Sequence, residues 1–85
     1  MEKSILVILV SKRREAAAAV QKALTEKGCI IKTRLGIHDG VADRCSDSGL
    51  IILELVGGKR ERDGLAAVLA AIPGVSTRLV ELSVA

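Results

Sequence analysis

Two stretches of this chain are apolar almost without interruption: Ile5-Leu6-Val7-Ile8-Leu9-Val10 and Leu50-Ile51-Ile52-Leu53-Glu54-Leu55-Val56. Two others mix polar and apolar positions, Cys29 to Ile37, where Lys32 and Arg34 alternate with Ile31, Thr33 and Leu35, and Val75 to Val84. Continuous apolar runs mark strands covered on both faces, and alternation marks a strand with one wet face. Between the strands of each pair lies a segment with helical spacing. The first follows Ser11, a candidate N-cap, and presents Ala16, Ala17, Val20, Ala23 and Leu24 to one side, with Gly28 as its expected C-cap. The second follows Asp63, places Leu65, Val68, Leu69 and Ile72 on one stripe, and ends at Pro73-Gly74.

The two halves are unequal copies of one unit. Each runs strand, helix, Gly, strand, and each second strand carries the same tripeptide, Thr33-Arg34-Leu35 in one and Thr77-Arg78-Leu79 in the other. A doubled strand-helix-strand unit predicts the βαββαβ ferredoxin-like sandwich, an α+β fold with a four-stranded antiparallel sheet and two helices on one face. In that topology strands one and three are central and strands two and four are edges, which matches the continuous and alternating patterns. Residues 1–85 are read as a single domain.

Two helices cover only one face of such a sheet, yet the central strands are apolar on both. The outward face is therefore expected to be an oligomer interface, with Leu6, Ile8, Val10, Leu50 and Ile52 as its candidate residues. The absence of Phe, Tyr and Trp leaves the core to Ile, Leu, Val and Ala, and excludes the base-stacking platform of an RNA-recognition domain. The excess of 13 basic over 10 acidic residues is too small for a nucleic-acid footprint, so no direct nucleic-acid partner is expected. The apolar runs are too short to span a bilayer and lack a secretory cleavage pattern, so a cytoplasmic protein with no membrane partner is expected. Cys29, opening the second strand, and Cys45, beyond its far end, are about nine extended residues apart, too far for a bridge.

The segment from His38 to Gly49 reads as a long loop between strands two and three. The topology brings it to the same end as Lys12-Arg13-Arg14, the turn into the first helix. A small anionic or amino-acid-like ligand is expected there, held by Lys12, Arg13, Arg14, Arg34, Gly36, His38 and Asp39. His38 and Cys45 are weak metal candidates, too few for a structural zinc site within one chain. Gly57-Gly58-Lys59-Arg60 lacks the remaining positions of a phosphate-binding loop, and no nucleophile elbow, zincin or dinucleotide fingerprint occurs. The one His has no evident partnered nucleophile, there is no Asn for acylphosphatase-like chemistry, and the first loop has no paired cysteines for a copper site. No catalysis and no cofactor are expected.

Arg34-Leu35-Gly36-Ile37 before the hairpin, and Ile72-Pro73-Gly74-Val75 followed by Ser76-Thr77 at the last strand, resemble the iron-only hydrogenase system regulator family, small proteins of ACT-like or nickel-repressor C-terminal-like fold. The element order agrees over essentially the whole chain. The resemblance implies a non-enzymatic regulatory or ligand-sensing domain that forms a homo-oligomer. It carries over no nickel site, because the several His ligands of the nickel repressor have no counterpart here. Two other readings stand beside it: a structural or partner-binding oligomerisation module, and a metal-binding sensor built on His38 and Cys45.

Overall fold

The chain runs β1 (Glu2–Val10), α1 (Arg13–Glu26), a 3-10 turn (Gly28–Ile30), β2 (Ile31–Val41), β3 (Arg44–Leu55), α2 (Lys59–Ala70) and β4 (Val75–Ser83) in a computed structural model. The structure describes residues 1–41 and 44–85, with side chains described for 1–36 and 48–85. All pairings are antiparallel and the strand order is β2-β3-β1-β4. This is the ferredoxin-like sandwich, with β1 and β3 central and β2 and β4 at the edges.

Strand pairing sorts side chains by face. Leu6 lies opposite Leu53 and Leu79, and Ile8 opposite Ile51 and Thr77; Val7 lies opposite Ile52 and Arg78, and Leu9 opposite Leu50 and Ser76. Leu6 and Ile8 are fully buried and Val10 nearly so, packed with Leu53 and Leu55 beneath Ala16, Val20, Ala23 and Leu24 of α1 and Leu65 and Leu69 of α2. The expected interface set therefore divides. Leu6, Ile8 and Val10 are core, whereas Leu50 and Ile52 belong to the helix-free face with Ile5, Val7 and Leu9. An apolar run on both faces does not say which face the helices cover, since a shift of one residue exchanges them.

The helix ends depart from expectation. Ser11 does not cap α1: its hydroxyl and its N–H both donate to the Gly74 carbonyl, at 3.0 and 2.8 Å, tying the start of α1 to the start of β4. Lys12 is the N-cap and provides no side-chain cap bond. Gly28 is not a left-handed C-cap; Lys27 ends the helix, and Gly28 and the exposed Cys29 lie in the 3-10 turn. Ala17 is exposed on α1, and Ala16 takes the inward place. α2 starts at Lys59 rather than after Asp63, because Lys59–Asp63 at 2.6 Å and Arg62–Glu81 at 3.3 Å hold a charged first turn that lacks apolar periodicity. Val68 on α2 is half exposed rather than buried.

Two glycines are needed for conformation. Gly57, at φ +90°, turns the chain from β3 into α2 so closely over Ile30 that a Cβ would stand 2.9 Å from its Cγ2. Gly74, at φ +82°, ends the α2–β4 connection against Ser11 and Lys12. The expected long loop between β2 and β3 is instead strand. Pairing continues to Gly40 opposite Cys45 and Val41 opposite Arg44, with a register shift between His38 and Gly40. Extending the ladder satisfies backbone groups that a polar composition had suggested were left to water. Among the described residues no helix is long and apolar enough to cross a membrane.

Candidate functional site

The first turn of α1 and the middle of β2 meet over the core. Arg13, Ala17 and Gln21 recur at four-residue spacing and so lie on one stripe of α1. Facing them is Arg34, whose Nη2 donates to Gln21 Oε1 at 3.0 Å. Between helix and strand is a cleft of about 170 Å³ lined by Val10, Arg13, Ala17, Val20, Gln21, Arg34 and Ile51. The small side chain of Ala17 leaves this space open.

Arg34 reaches the cleft because β2 is bulged. Ile31 pairs with Leu55, and an uninterrupted ladder from there would set Lys32 against Glu54, Thr33 against Leu53 and Arg34 against Ile52. The observed partners are Glu54 for Thr33 and Leu53 for Arg34, with Lys32 the extra residue. One residue thus carries Arg34 from the helix-free face to the helix side. Thr33 moves the opposite way, and its hydroxyl bonds Glu54 Oε1 at 3.4 Å. The sequence pattern had placed Lys32 and Arg34 together on one wet face; the bulge separates them.

Two guanidinium groups beside the first turn of α1, with walls from Val10, Val20 and Ile51, suit an anionic head on a short apolar body. Among the described residues Arg34 donates to the neutral amide of Gln21, and a carboxylate or phosphate is the stronger partner for a guanidinium. A larger cavity, about 470 Å³, opens at the opposite end between the start of β1, the end of β4 and the first turn of α2. There the cations are already matched: Arg62 bonds the Gly57 carbonyl at 2.5 Å and Glu81 at 3.3 Å, and Lys3 bonds Glu54 at 3.1 Å. The Lys3 bond is the main cause of a Glu54 carboxyl pulled below its usual range. The smaller cleft is the candidate site, because it gathers two of the expected ligand residues, Arg13 and Arg34, beside the start of α1.

Of the expected ligand residues, Arg13 and Arg34 come together in this cleft. Lys12 and Arg14 do not line it, and Lys12 lies against Gly74. Gly36 follows Arg34 on the same strand face, opposite Ile51, with open space where a Cβ would stand. The side chains of His38, Asp39 and Cys45 lie outside the described residues; their backbones belong to the β2–β3 ladder. Among the described residues no cluster of three or more His, Cys, Asp or Glu could hold a metal ion. Gln21 was missed from sequence, although its spacing from Arg13 through Ala17 was a usable signal.

No protein-family model and no curated protein matches this chain. Solved structures do. An uncharacterized protein of Thermotoga maritima superposes with a TM-score of 0.81 and 26% identity, over 98% of this chain and 100% of its own. A nitrogen regulatory PII-like protein from Thiomonas intermedia, bound to ADP, AMP and bicarbonate, superposes with a TM-score of 0.59 and 12% identity, over 100% of this chain and 97% of its own. A formyltetrahydrofolate deformylase of Pseudomonas putida matches at 0.58 and 19% identity, over 92% of this chain; this chain spans 28% of that enzyme. These likenesses agree on the ferredoxin-like fold.

Proposed function

We propose that this chain is a non-enzymatic regulatory domain that senses a small anionic molecule in the α1/β2 cleft, as a homo-oligomer serving the iron-only hydrogenase system. The observation that carries the sensing role is Arg34, turned by a one-residue bulge to face the helix that bears Arg13. The described lining offers guanidinium, amide and aliphatic groups, with neither a nucleophile nor a general base, which suits binding rather than turnover. A volume of about 170 Å³ is below the roughly 300 Å³ at which pockets for drug-sized ligands begin, so a small carboxylate, bicarbonate or phosphate fits better than a whole nucleotide. The PII-like neighbour, bound to nucleotides and bicarbonate, supports a regulatory reading. The hydrogenase assignment rests on the sequence resemblance alone.

The helix-free face supports assembly. Leu9 and Leu35 are each about half exposed there, beside Ile5, Val7, Leu50 and Ile52. A four-stranded face about nine residues long spans roughly 600 Å² at ~4.8 Å between strands and ~3.3 Å per residue, comparable to the ~800 Å² each partner buries in a standard interface.

Thermal melting against bicarbonate, inorganic phosphate, amino acids and short 2-oxo acids tests the sensing role. A ligand at 100 times its dissociation constant adds about 2.7 kcal/mol, which raises the melting temperature of a domain this small by about 10–20 °C. Arg34→Gln and Arg13→Gln are expected to lose that shift while remaining folded. An unresponsive wild-type protein that nevertheless oligomerises favours the purely structural module, and an equal shift in both variants rejects the cleft.

A further inference from the structure

The larger cavity, between the first turn of α2 and the ends of β1 and β4, leaves acceptors rather than cations unmatched. Glu2 lies opposite Ser83 and Ser4 opposite Glu81, so Glu2, Ser4 and Glu81 are three corners of one square of paired residues. Alternation along β1 puts Glu2 and Ser4 on the side of Leu6 and Ile8, beneath the helices, and the bond from Arg62 of α2 puts Glu81 there too. Ser4 is nine-tenths buried, lines the cavity, and makes no side-chain hydrogen bond among the described residues. A buried hydroxyl is ordinarily matched, and one left without a partner beside an open cavity marks a place for a ligand group. Among the described residues Glu2 has no ion pair either. The cation of the lining on this side, Arg62, is committed to the Gly57 carbonyl and to Glu81, and its Nε is enclosed out of reach of a ligand. Lys3 is held by Glu54 on the opposite face, and Lys59 pairs with Asp63. Two carboxylates against one guanidinium leave the helix side of the cavity with a net negative charge.

We propose that this cavity binds a primary amine, an ammonium carried on an apolar body. The site is separate from the α1/β2 cleft and independent of the anion reading there. An ammonium has three N–H donors and no acceptor, and Glu2, Glu81 and Ser4 present two carboxylates and a hydroxyl oxygen to receive them. Glu2 and Glu81 are diagonal partners, roughly 7–8 Å apart at the backbone, near enough for both side chains to converge on one nitrogen. Arg62 holds Glu81 through Oε1 at 3.3 Å, which leaves its second oxygen for the ligand. Buried Leu55, with the more exposed Val56 and Leu82, supplies the wall for the apolar body. At about 470 Å³ the cavity falls within the roughly 300–1,000 Å³ of small-molecule pockets. The two ends of the molecule thus select opposite charges, an anion beside Arg13 and Arg34 and a cation beside Glu2 and Glu81.

The test is a titration of the nitrogen-15-labelled chain with 2-phenylethylamine, read by amide chemical shifts. Shifts are expected at residues 2–4, 56–57 and 81–83, with residues 13–21 and 34 unmoved. Two isosteric probes separate hydrogen-bonded recognition from general attraction. The N-trimethylated ammonium keeps the charge and the body but has no N–H, and 3-phenylpropionate reverses the charge; each is expected to bind at least about tenfold more weakly. Ser4→Ala removes an unmatched hydroxyl and Glu2→Gln alters an exposed strand end, so both are expected to fold as the wild type does and to weaken the primary amine about tenfold. A trimethylated probe that binds as tightly as the primary amine, shifts that map to the α1/β2 cleft, unaltered affinity in the folded variants, or no binding of the amine at millimolar concentration each overturn the proposal.

Discussion

The tripeptide Thr-Arg-Leu occurs once in each half of the chain and faces opposite ways. In β2, Thr33 and Leu35 lie on the helix-free face while Arg34 points beneath α1; in β4, Thr77 and Leu79 lie beneath α2 while Arg78 is on the helix-free face. The glycines that precede these strands diverge too. Gly74 takes φ +82° and receives Ser11, whereas Gly28 has no positive φ and open space where a Cβ would be. A repeat in sequence carries the order of elements but not their geometry, because one bulged residue inverts a strand. Here the inversion places a cation at a cleft in one half and on a flat sheet in the other.

Exchanging the two residues, Thr33→Arg with Arg34→Thr, should erase the difference and give the largest effect. The guanidinium then stands on the open face opposite Glu54, and a hydroxyl stands on the helix side opposite Leu53. Any anion-dependent thermal shift, about 10–20 °C for a ligand at 100 times its dissociation constant, should be lost; an unchanged shift would mean that the face on which Arg34 lies does not matter.

The glycine pair sharpens the contrast. Gly74→Ala forces an L side chain into the left-handed region, with its Cβ 3.0 Å from Ser11 Oγ, and should cost about 1–2 kcal/mol. Gly28→Ala should instead stabilise by about 0.4–1 kcal/mol, through the unfolded chain. Equal effects on the unfolding midpoint would contradict the structural distinction.

The threonines should separate in the same sense. Thr77 is half buried and bonds the Ala66 carbonyl at 3.3 Å, so Thr77→Val is expected to cost about 1 kcal/mol. Thr33 is exposed, and Thr33→Val should fall within about 0.5 kcal/mol of wild type.

The smallest effect is electrostatic. Lys3, then its own desolvation, then weaker contributions from Lys3, Lys32 and Thr33 act on Glu54, and the net result is a lowered pKa. Because the folded value is the lower one, the associated stability is present above the unfolded value of about 4.3 and is lost as pH falls through the folded value. Melting temperatures of wild type and Lys3→Met should differ slightly at neutral pH and converge below that range; a gap that widens in acid would reverse the sign.

Element order, the central or edge place of each strand and the Pro73-Gly74 stop were legible because periodicity and turn chemistry are local properties. The nearness of the first helix to β2 follows from the same topology, but the turning of Arg34 toward the helix that bears Arg13 does not, because it depends on the bulge. Which face of β1 the helices cover was not legible: Ile5 to Val10 is apolar at every position, and only packing against α1 and α2 distinguishes Leu6 from Val7. The start of α2 at Lys59 and the diversion of Ser11 to Gly74 depend on partners from other elements, Glu81 for Arg62 and the β4 connection for Ser11. The bulge at Lys32 was hidden for the same reason. It is a mismatch between two strands, and neither strand records the register of the other until they pair.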